Sequence, residues 1–377
     1  MRFELSDEAA ALREMAAGLL ASEVPAAVVR AGWPGGEPDR VSAAWRKLAA
    51  TGAVGTLVPE ARGGLGLDET SLVPLLEEIG YSGLPVPAAE TVAVAAPLLA
   101  GTRPGEERPA GGDPDGGRLA DGGLAEGRLR GGQPEDGRLD GGGPLSGVLA
   151  GVLAGDTLVA AQLGDGDVVP FGQHAALVVL RDDVALRLYH RDALDLRPCA
   201  TIDGSRGAAR LASRPPDGGA LLTAGPAAVE AAWWRGVLGT SALLAGLARR
   251  MLDLTVGYVK HREQYGAPVG SFQAIKHALA NALVAVEFAR PMVLAAGWAH
   301  AAGAAGAAAQ ASAAKVLASD AARLAARTAI QCHGAMGYTT EYDLHLFAKR
   351  AWALASGWGA PGWHRARLAK TLGVADG

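Results

Sequence analysis

Arg262-Glu263-Gln264-Tyr265-Gly266-Ala267-Pro268-Val269-Gly270-Ser271-Phe272-Gln273 and Gln331-Cys332-His333-Gly334-Ala335-Met336-Gly337-Tyr338 decide how this chain is read. Each is a turn between long apolar-periodic runs. Residues 228–261 precede the first, and a second run spans 272–301 after the turn Gly266-Ala267-Pro268. A third covers 304–331 and stops at Gly334, with Leu317, Ala321, Leu324 and Thr328 on one face. Shorter helices are expected over 342–355 and 363–371. Long helices joined by short loops predict a helical bundle of four main helices over residues 227–377.

Upstream the pattern changes. From Val148 it reads as short Val- and Leu-rich strands over 157–163, 175–180 and 184–189, parted by turn signals such as Gly164-Asp165-Gly166 and Asp182-Asp183. A middle β-domain is therefore expected over 148–226. Residues 1–100 read as an N-terminal helical domain. Ser6 and Asp7 cap a first helix whose Leu12, Met15 and Leu19 share a face. Further helices are expected over 41–50, 69–79 and 88–99. Between these regions, 101–147 is a Gly/Pro-rich insertion in which Gly117-Arg118-Leu119, Gly127-Arg128-Leu129 and Gly137-Arg138-Leu139 recur every ten residues. A solenoid would need each unit to bury a face on the next, and one Leu per unit cannot offset the entropy of so many glycines. The segment is expected to be disordered and dispensable. The fold class is α+β, mainly α.

Composition narrows the function. Of the 377 residues, 49% are hydrophobic and 20% charged, and the formal net charge is -4. Nothing there calls for a nucleic-acid or membrane partner. The two cysteines, Cys199 and Cys332, form no CxxC pair, and Cys332-His333 lacks a third ligand, so no metal site is expected. The polar start carries no signal-peptide core, which points to a cytoplasmic location. No P-loop is present.

The two opening stretches resemble the C-terminal signatures of acyl-CoA dehydrogenases. Arg262, Tyr265, Gly266 and Gln273 match the first. Gln331, Gly334, Gly337 and Tyr338 match the second, with Ala335 where the family has a second glycine. Leu252-Asp253-Leu254 and Tyr258-Val259-Lys260 also fall in phase. The resemblance covers the bundle closely, the N-terminal domain loosely and the β-domain poorly. It implies FAD as cofactor and an acyl-CoA as substrate, in an oxidoreductase of lipid metabolism that works as an oligomer and passes electrons to an acceptor. It assigns Arg262 to the FAD pyrophosphate, which a guanidinium grips in a fork. Tyr265 and Gln273 would lie beside it, and Gln331, Gly334, Ala335 and Gly337 would let the adenosine side approach the backbone closely.

Two departures follow from the same resemblance. The family uses a Glu to abstract the α-proton of the thioester while the flavin takes a hydride from the β-carbon. Counted back from Arg365, the usual position of that Glu is Trp358; counted back from Asp253, the alternative position is Gly236 or Val237. None of these side chains accepts a proton, so no catalytic residue is assigned. Glu230 lies nearly two turns upstream and is not expected to reach, and Glu341 and Asp343 fall in a loop. The Thr-Glu-Pro-type stretch that lines the flavin ring is also missing. The resemblance is strongest to the base-less subunits of actinobacterial heteromeric enzymes, which would pair with a catalytic paralogue. An active homo-oligomer with a displaced base and a flavin monooxygenase or oxidase are the alternatives. With an indole at the base position, the chain's own pocket is expected to be closed, or open to something other than an acyl-CoA.

Overall fold

The computed structural model describes residues 4–101, 145–213, 215 and 218–374. The expectation of disorder over 101–147 falls mostly on 102–144, outside the described residues. The chain folds as an N-terminal helical part, a middle β part and a C-terminal helical bundle, the order expected.

Helix α1 (Asp7–Glu23) begins where the Ser6 hydroxyl accepts from the Ala9 N–H at 3.2 Å, which satisfies one of the amides a helix start leaves unpaired. Helices α2 (Ala26–Ala31) and α3 (Pro38–Ala49) lead to α4 (Glu69–Ser82), capped by Asp68 and closed by Gly83 at φ 73. A π-helical stretch, Ala89–Ala95, runs into α5 (Ala96–Gly101).

The first element after residue 144 differs from the expectation. Strand-like sequence was expected from Val148, yet Leu145–Leu153 form a helix, α6. Its buried Leu149 and Val152 sit three residues apart on one face. A nine-residue apolar run does not separate the two periods by itself, and packing chose the helix.

Among the described residues of the middle part, seven strands make two sheets: β1 (Val159–Gln162), β2 (Val168–Val169), β3 (Leu177–Asp182), β4 (Ala185–His190), β5 (Leu196–Pro198), β6 (Ala209–Leu211) and β7 (Ala220–Ala224). One runs β1-β3-β4-β7, with β1 parallel to β3; the other runs β2-β6-β5. The expected strands are β1, β3 and β4. β2, β5, β6 and β7 were not anticipated, being two to five residues long and half-exposed.

The bundle comprises α7 (Pro226–His261), α8 (Gln273–Ala301), α9 (Ala307–His333), α10 (Leu344–Ser356) and α11 (Pro361–Thr371). Helix α7 packs on α4 backbone to backbone. A Cβ on Gly80 would strike the Leu243 carbonyl, and one on Gly246 the Glu77 carbonyl, so only glycine permits this approach. Arg350 ties α10 to the β part: it reaches Asp203 at 3.1 Å, the Ser205 hydroxyl at 2.6 Å and the Leu84 carbonyl at 2.7 Å.

Helix α8 leaves an apolar face uncovered, with Leu283, Val284, Phe288 and Trp298 between 48% and 71% exposed. Among the described residues it is the one helix long and apolar enough to cross a membrane. Its Arg290, however, bonds to Glu77 at 2.7 Å, which seats the helix on protein.

Candidate functional site

The first motif forms a built turn. Helix α7 ends at Arg262, whose backbone N–H bonds to the Tyr258 carbonyl at 2.9 Å. A hairpin follows, β8 (Glu263–Gln264) against β9 (Ala267–Pro268), turning on Tyr265 and Gly266 at φ 54 and 76. Positive φ at both central residues matches the twist of paired strands. Tyr265 is 95% exposed, its ring meeting Phe272 edge-on at 6.4 Å. Gln273 opens α8, exposed.

Arg262 lines an open groove of about 600 Å³ with Arg250, Asp253, Tyr258, His261 and Tyr342. Among the described residues its guanidinium has no ion-pair partner. Asp253 accepts from the Tyr81 hydroxyl at 2.8 Å; burial and this bond raise the Tyr81 pKa. The groove thus sets Arg250 and Arg262 against one engaged carboxylate, a balance that suits an anion.

The second motif ends α9. Gly334 takes φ 60 and ψ -136, a backbone region open essentially to glycine. A Cβ on Gly337 would lie 2.6 Å from the Ile330 carbonyl oxygen. Ala335 is exposed, so its methyl fits where the family has glycine, and Gln331 is exposed as well.

Three rings join the two motifs. His333 stacks on Tyr258 at 4.2 Å and lies 4.8 Å from Tyr342. Its Nδ1 is 2.7 Å from the Ala329 carbonyl, and burial lowers its pKa. Arg262 and the Gly334 turn are thereby brought to one end of the bundle. Tyr265, in the hairpin turn, and Gln273, at the start of α8, do not line the groove. Sequence reasoning weighed His333 only as a metal ligand and missed this stack. Tyr258 and His333 are 75 residues apart and sit on different helices, so no local pattern signals their contact.

A cavity of about 710 Å³ lies between the β part (Gln162, Thr201, Arg206), the start of α7 and the α10–α11 loop. Four tryptophans line it: Trp233, Trp234, Trp358 and Trp363. Trp233 and Trp358 are 5.4 Å apart, and Trp233 meets Trp363 edge-on at 6.2 Å. Trp358 adopts φ 52. A Cβ built on Gly236 would collide with Cζ3, Cε3 and Cη2 of that indole, the last at 2.5 Å. Trp358 and Gly236, one of the two residues at the alternative base position, are therefore packed on each other; Val237, the other, is buried.

The indole does not close the pocket; it forms part of the wall of an open one. Glu230 lines this cavity. It accepts from Trp234 Nε1 at 3.0 Å and faces Arg367 at 3.6 Å. Glu341 and Asp343 do not line it, and Asp343 pairs with Arg30 at 2.5 Å.

Comparison with known proteins shows the family. Residues 6–104 match the family described as acyl-CoA dehydrogenase, N-terminal domain, and residues 231–373 the one described as acyl-CoA dehydrogenase, C-terminal domain. The chain is 31% identical over 351 residues to the acyl-CoA dehydrogenase IpdE2 of Mycobacterium tuberculosis, covering 92% of this chain and 91% of that one. It is 32% identical over 366 residues to IpdE2 of Mycolicibacterium smegmatis, covering 95% and 96%. Among solved structures, a steroid ACAD variant superposes with TM-score 0.76 at 24% identity, over 98% of this chain and 99% of that one. The ChsE4-ChsE5 complex from Mycobacterium tuberculosis superposes with TM-score 0.75 at 20% identity, over 100% of both chains.

Proposed function

The chain belongs to the acyl-CoA dehydrogenase family, FAD-dependent oxidoreductases acting on CH–CH groups, and on that premise we propose that it serves as the base-less subunit of a heteromeric enzyme. Its partner would be a paralogue that carries the carboxylate, and the reaction α,β-dehydrogenation of an acyl-CoA. The observation that carries this reading is the contact of Trp358 with Gly236. An indole stands at the usual base position and packs on Gly236, and neither these two residues nor Val237 can accept a proton.

The surface residues fit a supporting role toward FAD. Arg262 is exposed and unpaired, Gly334 and Gly337 need their missing side chains, and Gln273 and Gln331 face outward. Residues that grip a cofactor from one exposed side leave the remaining contacts to another chain. Arg262 would neutralise the pyrophosphate, Gln273 and Gln331 would orient it, and the Gly334 turn would let the adenosine side lie against the backbone. When bound, FAD supplies the hydride acceptor. The uncovered apolar face of α8 offers an assembly surface, as buried apolar area is the main attraction between subunits. The ChsE4-ChsE5 complex, a two-component assembly with the same fold, fits the same architecture.

A second reading keeps a base in this chain, and Glu230 favours it by lining the cavity. Against it, that carboxylate is engaged by Trp234 and Arg367. Turnover of a panel of acyl-CoA thioesters with an artificial electron acceptor separates the two. The chain alone is expected to be inactive, and the chain co-expressed with a carboxylate-bearing paralogue active. Turnover by the isolated chain, abolished in Glu230→Gln, would establish the second reading.

A further inference from the structure

The loop that presents Trp358 is held from behind by two buried polar side chains that the flavin reading does not use. Lys315 on α9 and His364 on α11 are each 0% exposed. Lys315 Nζ donates to the Ala355 carbonyl at 3.0 Å and the Gly359 carbonyl at 3.1 Å, with the Ser319 hydroxyl at 3.5 Å. His364 Nε2 lies 3.0 Å from the Trp358 carbonyl, and its Nδ1 is 3.1 Å from the Ser312 hydroxyl. A carbonyl only accepts, so Nε2 carries the proton and Nδ1 accepts from Ser312.

Three carbonyls within five residues of chain are thus met by donors from two other helices. Between them the backbone is left-handed twice, at Trp358 (φ 52) and Gly359 (φ 85). A bulky residue holds that conformation only when its surroundings over-determine it. An ammonium buried beside Ala311, Ala314 and Ala318 is equally costly unless its donors are used. Both costs are met by the same contacts.

We propose that Lys315 and His364 are positioning residues that lock the 356–360 loop by its carbonyls and keep the Trp358 indole wedged on Gly236 as a fixed wall of the cavity. The lock gives the cavity one shape, and residue 358 does not swing in and out of it. The inference rests on this chain's own packing and is independent of which subunit holds the flavin.

Hydrogen exchange of the full-length chain, read by mass spectrometry, tests it. Lys315→Met, which keeps the length and removes the donors, should raise exchange at least tenfold in peptides spanning 354–364 and leave those of α4 and α7 unchanged. The emission of Trp358, isolated as the difference from Trp358→Phe, should become more open to acrylamide quenching in the same variant. Unchanged exchange and quenching in a folded Lys315→Met would overturn the proposal. Where Lys315→Met does not fold, His364→Phe decides. Loosening confined to the loop supports the lock, whereas no change, or uniform loosening along the chain, refutes it.

Discussion

Adding one methyl group at Gly236 should reveal whether the indole of Trp358 really occupies that space. Gly236 lies within α7, where alanine is favoured over glycine by about 1 kcal/mol. A Cβ there would meet three indole carbons at or inside 2.5 Å, and forcing an extra methyl into a packed contact costs about 1–3 kcal/mol. Gly236→Ala alone should therefore lower stability by about 0–2 kcal/mol. In a Trp358→Ala background the obstruction is gone, and the same change should raise stability by about 1 kcal/mol. The difference between the two backgrounds is a coupling of about 1–3 kcal/mol, in the range residues in contact show. Urea unfolding of the wild-type chain, both single variants and the double variant measures it. Additivity within about 0.5 kcal/mol would show that the two residues do not touch, and the interlocking of the base positions would fall with it.

Arg262→Ala should weaken FAD retention in the assembled complex by roughly 10–150-fold, because a charge-assisted contact is worth about 1.5–3 kcal/mol. Arg262→Lys should restore only part of it, as an ammonium cannot form the fork; bound flavin absorbance after gel filtration is the measurement, and unchanged occupancy in the alanine variant would remove Arg262 from the site. Stability should also depend on pH in two windows. Burial, with Arg323 nearby, lowers Lys315 from 10.5 to about 7, so the unfolded chain binds more protons between those values and stability should rise with pH from about 7 to 10.5. Burial lowers His364 from 6.5 to about 4, and stability should fall as pH drops through that interval, fastest in its middle. Urea midpoints across pH for the wild-type chain and Lys315→Met check the first window, which the variant should lack.

Periodicity carried the helices of the bundle to within a few residues, because each runs for many turns and buries one stripe. Helix α7 was expected over 228–261 and spans Pro226–His261. The short elements were not legible in the same way. In α6 and in β2, β5, β6 and β7 the choice between helix, strand and turn is made by what the segment packs against, and too few residues exist for a period to show. The candidate site divides along the same line. Arg262, Gly334 and Gly337 declare themselves because a turn geometry fixes residue type at fixed spacing. Lys315 stands in an alanine-rich helical face and gives a weak hint, a lone charge where the pattern asks for an apolar residue. Glu230 gave none. A count along the helix places it away from the base position, and the structure sets it at the edge of a broad cavity, bonded to the tryptophan beside it. The Trp358–Gly236 contact lies furthest from sequence reasoning, since the residues are 122 apart in the chain. Counted separately, the two positions read as two independent losses of a base. Packed together they are coupled in one direction: the indole at 358 fills the space that a side chain at 236 would need. A side chain placed at 236 alone would therefore meet the indole, whereas Gly236 has no side chain to obstruct a carboxylate placed at 358.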